Sequence, residues 1–178
     1  MDTIEEVILL AYELHKDDKY GDLPYMRHLN DVYDLTVKYD LPEYVQHAAW
    51  LHDGIEMHSE GISSIFMGSP TMACWRLICK VSDEYAETRK ERKELTFDNI
   101  AEDDMAIALK LCDLCANIGR CIEQSNKKLL KMYLKDTPTV ESHLLPVIEK
   151  TKDWRLTGLW IQYSVLLHKA GVKLSETY

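Results

Sequence analysis

Nowhere in this chain do apolar and polar residues alternate over strand length between turn signals, so a sheet protein is not expected. Apolar runs stay short of the about 18 residues that a membrane-spanning helix needs, and no secretory leader is visible, so neither export nor a membrane partner is expected. Basic charge is also in deficit. Lys and Arg number 21 against 30 Asp and Glu, for a net charge of −9. That argues against a nucleic-acid partner, though not against a small anionic nucleotide met by a local basic patch. Cysteine is sparse and odd in number at five. Four of the five fall on apolar helical runs, which suggests reduced core thiols in a cytoplasmic protein. Cys112 and Cys115 form a lone CxxC around Asp113, with no second pair to complete a zinc site. Neither a repeat nor a linker divides the 178 residues, which suffice for one core without staples.

What is present is helical period. Ile4, Val7, Ile8, Ala11 and Leu14 share one face of a first helix, with Asp2 or Thr3 as its cap. Gly21 marks a turn, after which Pro24 is expected to start a second helix. Pro42 repeats the device before an apolar helix reaching about Gly54. Gly61 to Phe66 reads as a short helix or turn closed by Met67-Gly68, and Ser69-Pro70 as the start of a helix through Val81. Ser82 to Glu94, with Arg89-Lys90-Glu91-Arg92-Lys93, has almost no apolar face and reads as a solvated surface or a phosphate-binding flap. Asp98 or Asn99 is expected to cap a helix over 100–122. Beyond it a helical segment over 126–134, a helix started by Pro138 and kinked by Pro146, and a last helix over 153–169 complete the chain. The expectation is an all-α bundle, one domain over 1–178 with about eight or nine helices.

The arrangement centres on Ala48-Ala49-Trp50-Leu51-His52-Asp53-Gly54-Ile55-Glu56. His52 and Asp53 are metal-ligand types at the end of an apolar run, and Glu56 follows on the same helix edge. Two ligands leave a divalent ion undercoordinated. His28 and Asp113 are the candidates to complete the set, and a carboxylate amid Leu109, Leu111, Leu114 and Ile118 is unusual unless paired or metal-bound. Imidazole and carboxylate together suit Mn²⁺, Fe²⁺, Co²⁺ or Zn²⁺ better than Ca²⁺. An ion so held would activate water, with Glu56 placed as general base.

His28, the His52-Asp53 doublet and Asp113, in that order, resemble the HD phosphohydrolase superfamily. His15-Lys16 followed by Gly21-Asp22-Leu23-Pro24-Tyr25-Met26-Arg27-His28, then Leu51-His52-Asp53-Gly54-Ile55-Glu56, Phe66-Met67-Gly68, Lys80-Val81-Ser82-Asp83 and Lys110-Leu111-Cys112-Asp113-Leu114-Cys115-Ala116-Asn117 narrow the resemblance to the hydrolase domain of RelA/SpoT enzymes and the small alarmone hydrolases. It covers roughly residues 5–122, with the helices over 125–170 packing on that core.

The resemblance implies a mononuclear manganese site and removal of the 3′-pyrophosphate of guanosine 3′,5′-bis(diphosphate), ppGpp, or of its pentaphosphate. It also implies substrate contacts from Asn117 and Lys19, with Lys80 and Arg92 as the next basic candidates. Met57 and Ala116 depart from the family pattern: Met57 replaces the Asp of a Glu-Asp pair, and Ala116 an aromatic or histidine beside the base. Two alternatives follow. One is hydrolysis of another nucleotide, a deoxynucleoside mono- or triphosphate or the 2′-phosphate of NADPH. The other is a regulatory protein that keeps the metal with little turnover.

Overall fold

In a computed structural model of the chain, which describes residues 3–58, 62–68 and 71–175, the helical period is realised throughout. The side chain of Thr3 accepts from the backbone of Glu6, and Glu6 reaches back to Thr3 to close a capping box at the start of α1 (Ile4–His15). The chain then pairs β1 (Lys19–Tyr20) with β2 (Leu23–Pro24) in a minimal antiparallel ladder, turning at Gly21 with φ +63°. Pro24 therefore ends this ladder rather than starting a helix. Tyr25, whose N–H donates to the Asp18 carbonyl at 3.1 Å, is the N-cap of α2 (Met26–Lys38).

Pro42 precedes α3 (Glu43–Leu51), and the expected continuation to Gly54 is broken. His52 and Asp53 form a turn, followed by the single-turn helix α4 (Gly54–Met57). At Gly54 a Cβ would stand 2.5 Å from Ile65 Cδ1, so α4 lies hard against α5 (Ile62–Gly68). The expected cap at Ser69-Pro70 lies outside the described residues. Thr71 caps α6 (Met72–Val81), its side chain accepting from Cys74 N at 3.0 Å.

The basic run, expected as a solvated surface or a phosphate-binding flap, forms the largely exposed first turns of α7 (Arg89–Ile100), opened by a capping box between Thr88 and Glu91 and anchored late by Phe97 and Ile100. Two further expectations are corrected. Asp98 and Asn99 lie inside that helix. The cap of α8 (Asp104–Glu123) is Asp103, whose carboxylate accepts from Met105 N and Ala106 N. Likewise α9 (Lys127–Thr151) runs on through Pro138 and Pro146 as one helix until Lys152 adopts φ +57°. The last helix is α10 (Trp154–Ser175).

Every residue from Ala106 to Ala116 is buried, a pattern of a helix enclosed on all sides. Around α8 pack α10, α2, α9, α6, α7 and α3. Cys74, Cys112, Cys115 and Cys121 are buried in this core as thiols. The result is one all-α domain. Among the described residues there are ten helical elements, or nine when the single turn α4 is taken with α3. No described helix is long and apolar enough to cross a membrane.

Candidate metal centre

The break after Leu51 lets two adjacent side chains point to one place. His52 donates from Nδ1 to the Ala49 carbonyl at 2.9 Å, which leaves Nε2 as the lone-pair nitrogen. That Nε2 is buried without a hydrogen-bond partner, 3.3 Å from Asp53 Oδ2 and 3.8 Å from Asp113 Oδ1. From α2, His28 Nε2 comes within 3.3 Å of Asp53 Oδ2 and 3.4 Å of Asp113 Oδ1. The donor atoms of His28, His52 and Asp113 all lie within 4.8 Å of one another. Helix α2, the α3–α4 turn and α8 thus bring two imidazoles and two carboxylates together, all at least largely buried.

These residues fit a divalent ion. A lone-pair nitrogen and two carboxylates that face one another away from water repel unless a cation lies between them. Without a metal, protons have that task. Burial opposes charge on His28, yet hydrogen bonds to Asp113 and Asp53 push its pKa up to about 9. For Asp113, burial would raise the pKa, but Lys110 and the two histidines hold it well below the usual carboxylate range. Mixed nitrogen and oxygen donors suit Mn²⁺, Fe²⁺, Co²⁺ or Zn²⁺.

A ring of hydrogen bonds orients the donors, and of its members Tyr25 and Lys110 had no expected role. Tyr25 OH donates to Asp53 Oδ2 at 2.5 Å. Lys110, one turn before Asp113 on α8, lies 3.1 Å from its Oδ2; burial disfavours the ammonium, but Asp113, then Glu56 and Asp53, keep it charged. Asn117 donates to Asp113 Oδ1 and accepts from Tyr20 OH at 2.7 Å. Its amide therefore holds a carboxylate, where a contact to a sugar was expected. For Lys110 the three-residue spacing to Asp113 was the available signal.

Glu56 stands exposed at the edge, its Oε1 accepting from Asp83 N at 2.8 Å, so it also ties α4 to the segment after α6. Loss of water around it raises its pKa, opposed by Lys110 and reinforced by Asp53.

The basic candidates fall differently from expectation. Lys19 is exposed on β1. Lys80 is held by Asn99 Oδ1 at 3.1 Å and Glu102 Oε2 at 3.0 Å, in a hollow that includes none of the four candidate ligands. Arg92 Nε faces Asp83 Oδ2 at 3.6 Å. The cations beside the cluster are instead Arg89 and Lys93, one turn apart on α7. With Lys110, Tyr133 and Asp136 they line a cavity of about 130 Å³ that reaches Asp113 and Asn117. This cavity adjoins a groove of about 920 Å³ between α7 and α9, where Lys90, Lys128, Lys131 and Lys135 join them. Arg89 Nη2 and Asp136 Oδ2, 2.5 Å apart, stand in the wall of both.

Fold and cluster together are those of an all-α domain with a His/Asp set able to hold a metal. No family model matches the chain, and no curated protein is recognisably similar to it. Among solved structures it is similar to a metazoan ortholog of SpoT, described as hydrolysing ppGpp and playing a role in starvation responses. The TM-score is 0.62 and the identity 20%, over 89% of this chain and 94% of that one. At that identity the likeness is one of fold.

Proposed function

We propose that the protein is a manganese-dependent hydrolase that removes the 3′-pyrophosphate of guanosine 3′,5′-bis(diphosphate). The observation that carries this reading is the juxtaposition of His28, His52, Asp53 and Asp113 with a cleft whose basic residues, Arg89 and Lys93, lie beside Asp113 and Asn117. A metal with phosphate-binding cations at a second point suits a substrate phosphorylated at both ends. The fold it shares with a SpoT ortholog described as hydrolysing ppGpp supports the choice among phosphohydrolases.

A divalent ion, which His28, His52, Asp53 and Asp113 would hold, would supply Lewis acidity at a phosphoryl oxygen and lower the pKa of a water molecule. Glu56, whose pKa burial raises, would accept the proton of the attacking water. Lys110 and Tyr25 keep Asp113 and Asp53 ionised and aimed. Arg89 and Lys93 bind the remote phosphates; Lys19, Lys80 and Arg92 are further candidates for that contact.

A second reading, hydrolysis of another nucleotide such as a deoxynucleoside phosphate or NADPH at its 2′-phosphate, is favoured by one observation. Both ends of the Asn117 amide are already engaged, which weakens its expected hold on a guanosine ribose. The test is a nucleotide-chromatography screen of the purified protein with Mn²⁺ against these compounds. Pyrophosphate and guanosine 5′-diphosphate are the expected products, and faster cleavage of a deoxynucleotide or of NADPH would overturn the choice.

A further inference from the structure

A second group of donors lies outside this centre. His15 at the end of α1, Asp18 in the turn before β1 and His58 just past α4 converge on one oxygen: His15 Nδ1 is 2.9 Å and His58 Nε2 2.6 Å from Asp18 Oδ2. The three donor atoms lie within 4.8 Å of one another. Adjacent donors around an ion with bonds of about 2.1 Å are spaced by about 3.0 Å in octahedral and 3.4 Å in tetrahedral geometry, and these contacts are near that scale.

We propose that His15, Asp18 and His58 form a second divalent-cation site, separate from the first, that takes a nitrogen-preferring transition ion such as Zn²⁺ or Co²⁺. None of its donors belongs to the first cluster, and the ring of Tyr25, stacked on His15 at 4.9 Å, stands between the two. His15 is almost fully buried, and that burial holds its pKa below the ordinary value. For Asp18, the bonds from both histidines outweigh burial and hold its pKa below the usual carboxylate range. Two imidazoles and one carboxylate form a donor set that favours Zn²⁺ or Co²⁺ over Mn²⁺ or Mg²⁺. The side chains of Asp18 and His58 are 24% and 28% exposed, so the remaining coordination positions face water. A bound ion would clamp the end of α1, the turn before β1 and the segment after α4, which already pack on one another.

The test is metal stoichiometry of the chelator-stripped full chain, equilibrated with excess Co²⁺ or Zn²⁺ and assayed after removal of free ion. Wild type should hold two equivalents, and His58→Ala and Asp18→Asn one each, with helical circular dichroism retained. His52→Ala should keep the equivalent that His58→Ala loses, and its Co²⁺ spectrum should vanish in the double variant. One equivalent in wild type, or a wild-type count in either His58→Ala or Asp18→Asn, would overturn the site. Failure to hydrolyse any nucleotide would leave these counts unchanged, so this inference and the proposed activity fail separately.

Discussion

Tyr25 and Glu56 are the side chains at which small changes should be most informative. Removing the Tyr25 hydroxyl deletes the hydrogen bond that aims Asp53 while leaving the ring on His15 and His28. Loss of such an outer partner weakens metal affinity or activity by about 10- to 100-fold. Tyr25→Phe is therefore expected to raise the Mn²⁺ dissociation constant by that factor in a calorimetric titration, with little change in fold. Glu56 carries two roles that one substitution separates. Gln still accepts from Asp83 N, so the tie between α4 and the segment after α6 survives in Glu56→Gln, while the proton acceptor is lost. Turnover should fall by about 10²-fold or more at an unchanged unfolding midpoint. Turnover near the wild-type rate would leave Glu56 only as a tie. These two residues also mark how far the sequence could be read. Metal-ligand types at helical spacing announce themselves, because charge in an apolar run demands a reason. The phenol aiming Asp53 and the backbone N–H held by Glu56 are contacts between segments distant in sequence, which no spacing encodes.

At the scale of elements, legibility followed whether local chemistry or tertiary contact set the boundary. The box at Thr3 was readable, whereas α7 was missed although Thr88 and Glu91 carry the same S/T-x-x-E signature, because its charged first turns obscured the two apolar anchors. Pro24 looked like a helix start, and the ladder with Lys19 took it instead. The turn at His52-Asp53 was invisible in a run that would extend α3 by propensity alone. Helix α7 has a functional consequence. Arg89 and Lys93, one turn apart, both line the cleft, which Arg92 does not; Lys93 also faces Asp83 at 3.7 Å, as Arg92 does at 3.6 Å. Arg89→Ala should accordingly raise KM several-fold on the true substrate with little change in kcat, as expected for uniform binding of a remote phosphate. Arg92→Ala should do less. The reverse order in steady-state kinetics would return the contact to Arg92.

For the whole molecule, composition and period were enough to specify an all-α domain, whereas the enclosure of α8 at its centre and the order in which helices pack were not. The contact of α2 with α10 is an example. Tyr39, just past α2, donates from its hydroxyl to the Gly158 carbonyl at 3.1 Å and to Gln162 Oε1 at 2.9 Å. A Cβ at Gly158 would lie 2.7 Å from Tyr39 Cε1. On helix propensity alone Gly158→Ala would gain up to about 1 kcal/mol. Overpacking of this close approach costs about 1–3 kcal/mol. The expected balance is a loss of stability, read as a lower urea midpoint with an unchanged slope; a rise would mean that Tyr39 moves aside freely.

The placement of Asp113 on the enclosed helix α8, and of His52 and Asp53 at the short break beside exposed Met57, joins two parts of the molecule that should open on different timescales. Amide hydrogens of α8 are expected to exchange with solvent only when the whole domain unfolds, whereas those of His52 to Met57 should exchange through local opening in the metal-free protein. An ion that binds only the closed arrangement stabilises it by RT ln(1 + [L]/Kd). Loading with Mn²⁺ should thus slow exchange at 52–57 towards that of α8, and exchange at 52–57 that ignores the metal would show that the break is already as rigid as the helix it faces.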